Sequence, residues 1–96
     1  MVQYPALLDG EAGAYGVVFP DLPGCVAMGT TVDEALRHAA AALHDYVASL
    51  AEDGIPVAPP RDAAEVAIAP GESLVLVPLV RRPAIAWLAR QLAQLA

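Results

Sequence analysis

The sequence has 96 residues, with no lysine, five arginines and eleven acidic residues, and its formal net charge is -6. A chain of this length forms about one small domain, and its negative charge repels phosphate backbones, which argues against general nucleic-acid binding. The single cysteine excludes an internal disulfide bond, and the longest apolar run, residues 74–80, is far shorter than the roughly 20 residues of a membrane-spanning helix.

Three β-strands are predicted before the first helix. Residues 2–8 and 14–20 are β-rich runs separated by glycine-containing turn residues, which is typical of an antiparallel hairpin. Pro5 has no backbone N–H, so we expect the first strand at a sheet edge or at a bulge. The sequence DLPG at 21–24 predicts a β-turn, and residues 25–29 predict a short third strand. Together these runs predict a three-stranded meander.

A long helix is predicted after this meander. Thr31 and Glu34 have the spacing of a capping box, and Asp33 and Glu34 lie where the helix dipole favours negative charge. Gly54 and Pro56 mark the end of the helix. Its apolar stripe consists of Leu36, Ala40, Leu43, Val47 and Leu50.

The last third of the chain predicts a connection, a strand and a short helix. Residues 56–72 are rich in proline and predict an ordered connection. Residues 73–80 are continuously apolar, which predicts a strand covered on both sides or a central strand parallel to its neighbour, although Pro78 argues against full pairing there. Residues 82–96 predict a terminal helix that packs on the domain or forms an oligomer interface. Its apolar stripe consists of Ile85, Leu88, Leu92 and Leu95.

The predicted fold class is therefore α+β, with one sheet, a long helix packed on it and a short C-terminal helix. We assign residues 1–80 to one domain and residues 81–96 to the terminal helix. The chain begins without the basic start and apolar run of a signal peptide, so we expect it in the cytoplasm.

Cys25 and the two histidines are the first candidates for chemistry. A nucleophilic cysteine needs a neighbouring base or cation that lowers its pKa, but His38 and His44 fall on the predicted helix and Asp21 is acidic. We therefore expect Cys25 to be a small buried apolar residue. The histidines are six residues apart and have no cluster of other ligands, so no metal or other cofactor is predicted.

A metal-dependent nuclease would need several carboxylates on neighbouring strands to hold two ions. The predicted strands over 2–8, 25–29 and 73–80 contain no acidic residue, and Asp9 and Glu11 fall in a predicted turn. No nucleotide-binding or serine-hydrolase motif is present. The residues therefore predict no enzymatic activity, and the acids form either a solvated face or a surface for a partner.

An ordered set of motifs runs from residue 14 to residue 60: Tyr15, FPDLPGC at 19–25, Gly29, DEAL at 33–36, Ala42 with Leu43, and GIPVAPP at 54–60. In these motifs the chain resembles the HicB-like antitoxin family of bacterial toxin-antitoxin systems. The apolar strand SLVLVPL extends the likeness in kind.

The resemblance implies a partial ribonuclease-H-like fold of order β-β-β-α-β that has lost catalysis. It also implies a role in binding and neutralising a small basic RNA-cleaving toxin of the HicA type, by covering the toxin's catalytic histidine and RNA path. The acidic first half of the chain agrees with a basic partner. From charge and predicted exposure we choose four candidate contacts: Asp9, Glu11, Asp21 and Asp33.

Many members of this family continue into a DNA-binding segment. Here sixteen residues follow Val80, and a single helix cannot form a helix-turn-helix, so we do not expect direct DNA binding. Two other functions stay open. One is a stand-alone oligomeric regulatory domain without a toxin, and the other is a degenerate ribonuclease-H-like nuclease whose cleavage would depend on Asp21 or Asp33.

Overall fold

The computed structural model of the chain describes residues 2–79. The predicted terminal helix, with Ile85, Leu88, Leu92 and Leu95, lies outside the described residues. Between residues 2 and 79, no helix is long and apolar enough to cross a membrane. The elements in chain order are β1 (Gln3–Glu11), β2 (Ala14–Val18), β3 (Val26–Gly29), α1 (Val32–Glu52), a short 3-10 helix (Ala63–Glu65) and β4 (Ser73–Pro78).

The four strands form one antiparallel sheet in the order β3-β2-β1-β4, and α1 packs on one face of it. This arrangement confirms the predicted α+β fold class and the meander of the first three strands. The expectation for β4 was wrong, because β4 is an edge strand antiparallel to β1. Burial under α1 accounts for the apolar residue Val77 on one face of β4. Leu76, on the other face, is also apolar and is 49% exposed.

Pro5 lies in β1, which is an inner strand of the sheet. The two neighbours of β1 are staggered: β4 pairs with Gln3–Leu8, and β2 pairs with Leu7–Glu11. Pro5 therefore has a neighbour on one side only, opposite Leu76, and its missing N–H costs no bond to β2. The edge position predicted from this proline is wrong for the strand as a whole but holds for the half that contains Pro5.

The turn between β1 and β2 is shorter than predicted. The strand β1 continues to Glu11, which is in register with Ala14, so that only Ala12 and Gly13 connect the two strands. Asp9 and Glu11 consequently lie within a strand. The sheet thus contains two carboxylates in a strand that we expected to have none.

The core lies between α1 and the sheet. The most buried helix residues are Ala35, Ala39 and Leu43, so the buried stripe is rotated from the predicted one toward the alanines. The small side chains let the helix approach β3 closely: a Cβ atom added to Gly29 would lie 2.8 Å from the Ala35 Cα. The sheet contributes the buried residues Tyr4, Ala6, Val17, Ala27 and Val77, and Phe19, just after β2, joins them.

The start of α1 is held by the predicted capping pair. The Glu34 N–H donates to Thr31 Oγ1 at 3.1 Å, and Glu34 Oε1 accepts from the N–H of Thr30 at 2.8 Å, one residue earlier than in the usual capping box. These bonds to Thr30 lower the pKa of the Glu34 carboxyl group. The negative charge also complements the helix dipole, so the cap favours the ionised side chain.

Candidate partner-binding surface

The corner over residues 19–25 is a closed structural unit. The Phe19 N–H donates to the Cys25 carbonyl at 3.2 Å, and the Cys25 N–H donates to the Leu22 carbonyl at 3.0 Å. The Cys25 side chain is buried, and burial raises the pKa of its thiol. A buried, protonated thiol is a poor nucleophile. The corner therefore matches the expected structural role of Cys25.

Asp21 is the candidate contact whose side chain is nearly buried and paired within the chain. Its side chain is only 8% exposed and pairs with the Arg61 guanidinium at Nε, while the Arg61 backbone N–H donates to Asp21 Oδ2 at 3.1 Å. Near this pair, the Tyr4 hydroxyl donates to the Ala58 carbonyl at 2.7 Å, and Tyr46 donates to the Pro23 carbonyl at 3.1 Å. The bonds of Arg61 to Asp21 fasten the proline-rich connection to the corner, the Tyr4 bond fastens it to β1, and the Tyr46 bond joins α1 to the corner.

The other three candidate contacts lie at the opposite end of the sheet, where β1 and β2 meet. The Gly13 N–H donates to the Thr30 carbonyl at 2.9 Å, which brings this hairpin turn to the start of α1. Asp9 and Glu11 are exposed in β1, and the Asp33 side chain is 87% exposed in the first turn of α1. Asp33 also pairs with Arg37 at 3.3 Å. The structure thus brings Asp9, Glu11 and Asp33 to one end and separates Asp21 from them.

The face of the sheet opposite α1 carries an apolar patch that the sequence reasoning missed. Side chains alternate between the two faces of a strand, so the neighbours of the buried Val17 and Ala27 point away from α1. They are Val18, Val26 and Met28, which are 47%, 55% and 71% exposed. Val18 is in register with Val26, so these side chains are adjacent. We call Val18, Val26 and Met28 the open-face patch.

Asp9 borders this patch. Gly16 is in register with Met28 on one side and with Asp9 on the other. A Cβ atom added to Gly16 would lie 3.2 Å from Asp9 Oδ1, so the carboxylate lies over the glycine, beside Met28. The signal available in the sequence was the missing polar alternation in GVVF and CVAM, where a solvated strand face would show polar residues.

The two histidines lie apart on α1. His38 Nδ1 is 2.7 Å from the Met28 carbonyl oxygen, to which it donates, and His44 Nδ1 is 3.4 Å from Asp45 Oδ1. In the described part of the chain, no three His, Cys, Asp or Glu side chains come close enough together to hold a metal ion. His38 instead forms a hydrogen bond with a backbone carbonyl of β3.

Comparison with known proteins gives one family and several solved structures. The family model described as the HicB_like antitoxin of bacterial toxin-antitoxin system matches residues 4–81. No curated protein sequence matches the chain. The N-terminal domain of the antitoxin HicB from Burkholderia pseudomallei is 27% identical, with a TM-score of 0.70, and the match covers 83% of this chain and 100% of that one.

Two further structures are similar. A chain of the HicA3 and HicB3 toxin-antitoxin complex is 25% identical, with a TM-score of 0.68, and the match covers 80% of this chain and 96% of that one. The longer antitoxin HicB of Burkholderia pseudomallei is 24% identical, with a TM-score of 0.72, and the match covers 97% of this chain and 84% of that one. The last likeness is one of fold alone.

Proposed function

The chain belongs to the HicB-like antitoxin family of bacterial toxin-antitoxin systems, and on this basis we propose that it binds and neutralises a small basic RNA-cleaving toxin of the HicA type. The observation that carries the proposal is the family match over residues 4–81, joined to the likeness to a chain of a toxin-antitoxin complex. The chain acts by binding rather than by catalysis, and it covers the surface with which the toxin cleaves RNA.

The charge of the described residues supports a basic partner. Residues 2–79 contain all eleven acidic residues but only Arg37 and Arg61, so this part of the chain has nine more acidic than basic residues. Such a charge speeds the encounter with a basic protein and disfavours acidic partners. Asp9, Glu11 and Asp33 are the proposed contacts, because they are exposed at one end of the sheet. Asp21 acts by holding Arg61 and the corner in place.

Two alternatives have less support. A ribonuclease-H-like nuclease requires converging carboxylates, whereas Asp21 is paired with Arg61 and Asp33 with Arg37 at separate places. A stand-alone regulatory domain would have no toxin gene beside its own. We also propose that the chain works in the cytoplasm, where RNA is available to the toxin, and that the stripe from Ile85 to Leu95 joins copies of the chain. Truncation after Pro83 should then reduce the oligomer size in light scattering.

The direct test is co-expression of the chain with the small basic protein encoded next to it. We expect the toxin alone to arrest growth, the pair to restore it, and the two proteins to copurify. A toxin variant without its catalytic histidine is the matched control, because it should copurify without arresting growth. Growth arrest that persists, together with separate elution of the two proteins, would contradict the proposed function.

A further inference from the structure

Within residues 2–79, α1 covers one face of the sheet, and the other face is apolar where β2 and β3 meet. Val18, Val26 and Met28 remain 47% to 71% exposed there, although the equivalent positions on the covered face are buried. A single exposed apolar residue is common on a protein surface, but adjacent ones mark sites of interaction. The open-face patch is therefore a candidate interface.

The border of the patch is acidic and has room for a partner. Asp9 lies over Gly16, and Gly16 places no side chain between Asp9 and Met28. A glycine inside a strand weakens the strand and often marks the close approach of another chain. Glu11 follows Asp9 on the same face by strand alternation and is also exposed. The surface thus combines apolar anchors with carboxylates at its rim, which is the usual composition of a protein interface.

The negative charge of the chain favours a basic protein over a second copy of the chain as the partner at this surface. A second copy of the chain, whose formal net charge is also -6, would bring another acidic rim of Asp9 and Glu11 to this surface, and like charges facing each other disfavour such a complex. Strand addition at the edge of β3 is also disfavoured, because the Met28 carbonyl already accepts from His38. A basic protein with an exposed apolar side chain can pack that side chain on the patch and place its positive charge against the acidic rim.

We propose that the open-face patch is the docking surface for the basic toxin, with Met28, Val18 and Val26 as apolar anchors and Asp9 as the charged contact beside them. This inference rests on the proposed function and specifies where on the chain the toxin binds. Docking on this face leaves α1, and with it Asp33, on the far side of the sheet from the toxin, so Asp9 and Glu11 are the acidic contacts that this surface uses.

The test measures the dissociation constant between the 96-residue chain and the purified neighbouring toxin, made inactive by removal of its catalytic histidine. Met28→Arg should weaken binding at least tenfold, because it places a positive charge against a basic partner. Ile55→Arg is the matched control. It makes the same charge change at an apolar side chain that is 50% exposed beyond the far end of α1, and it should change binding by less than twofold. Asp9→Asn should weaken binding severalfold, and the loss should shrink in high salt.

The outcomes separate the two proposals. If the wild-type chain does not bind the toxin, the proposed function fails. If the wild-type chain binds and Met28→Arg binds equally well, the docking surface proposed here is overturned while the function stands. Equal losses for Met28→Arg and Ile55→Arg would also overturn it, since the effect would then depend on overall charge. Matching thermal unfolding curves for all variants show that they fold, and Val18→Ser serves as a second variant if Met28→Arg does not.

Discussion

The two faces of the sheet are built from similar residues but meet different surroundings. On the face under α1, Tyr4, Ala6 and Val17 are at most 2% exposed, whereas on the other face Val18 and Met28 are 47% and 71% exposed. Burial under α1 explains the apolar residues of the first face through the stability they provide. It does not explain Val18, Val26 and Met28 on the second face, which are 47% to 71% exposed. We attribute the exposed apolar residues of the second face to the docking proposed above rather than to folding.

The largest contrast between the faces should appear on truncation of apolar side chains. Leu43→Ala removes a fully buried side chain from α1 and should lower the free energy of unfolding by about 2–5 kcal/mol. Val26→Ala, on the open face, should change it by less than about 0.5 kcal/mol. Urea denaturation measures both values. A cost for Val26→Ala close to that for Leu43→Ala would show that the second face is also buried.

A pair of glycines, one on each face, sharpens the contrast. Gly29→Ala forces a methyl group against the Ala35 backbone, so we expect a loss of about 1–3 kcal/mol in the free energy of unfolding. Gly16→Ala meets only the Asp9 carboxylate, a side chain that can move, and should cost clearly less. Thermal unfolding compares the two variants. Equal losses would mean that Asp9 is fixed over Gly16 by contacts of its own.

Two aspartates extend the contrast to charged residues. Asp21→Asn weakens the pair with the half-exposed Arg61 and should lower the free energy of unfolding by about 1 kcal/mol. Asp9→Asn should leave stability unchanged within error, because Asp9 is exposed at the rim of the open-face patch. Denaturation curves measure the stability of both variants. Toxin binding separately measures the effect of Asp9→Asn on the proposed contact. A stability loss at Asp9 equal to that at Asp21 would contradict this division.

The smallest expected effect concerns Glu34, which lies in the first turn of α1. Hydrogen bonds from Thr30 lower the pKa of Glu34, so the cap contributes stability above the ordinary glutamate pKa of about 4.3 and loses it as the pH falls through the lowered pKa. Glu34→Gln does not titrate and should lose less stability than the wild type from about pH 5 to about pH 3. Glu52→Gln, at the last residue of α1, is the control and should follow the wild type.

Much of the fold could be predicted from local chemistry. The capping pair at Thr31 and Glu34 and the hairpin spacing of β1 and β2 act over a few residues, so the sequence alone indicates both elements. The place of β4 could not be predicted, because an apolar strand reads the same whether its second face is covered by the same chain or by another. The edge position predicted from Pro5 failed for a related reason: the stagger of the strands beside β1 depends on residues 73–78, far away in the sequence.

The candidate site was less predictable than the fold. Acidic residues could be recognised by charge, but the pairing of Asp21 with Arg61 joins residues forty positions apart. The open-face patch depends on which side of each strand α1 covers, and the composition of β2 and β3 does not reveal this. Asp9 acquires its position beside Met28 only through the register of three strands.

The stagger of β1 separates pairings that are close in sequence from one that is distant in sequence, and we expect the close pairings to form first. Leu7 and Leu8 are the residues of β1 that pair with both β2 and β4. The pairings of β1 with β2 and of β2 with β3 join residues close in sequence, whereas β4 closes a loop of more than sixty residues, which slows its addition. The strands that carry Val18, Val26 and Met28 therefore belong to the part that can form first during synthesis. We therefore expect the proposed docking face to form, during synthesis, before β4 is in place.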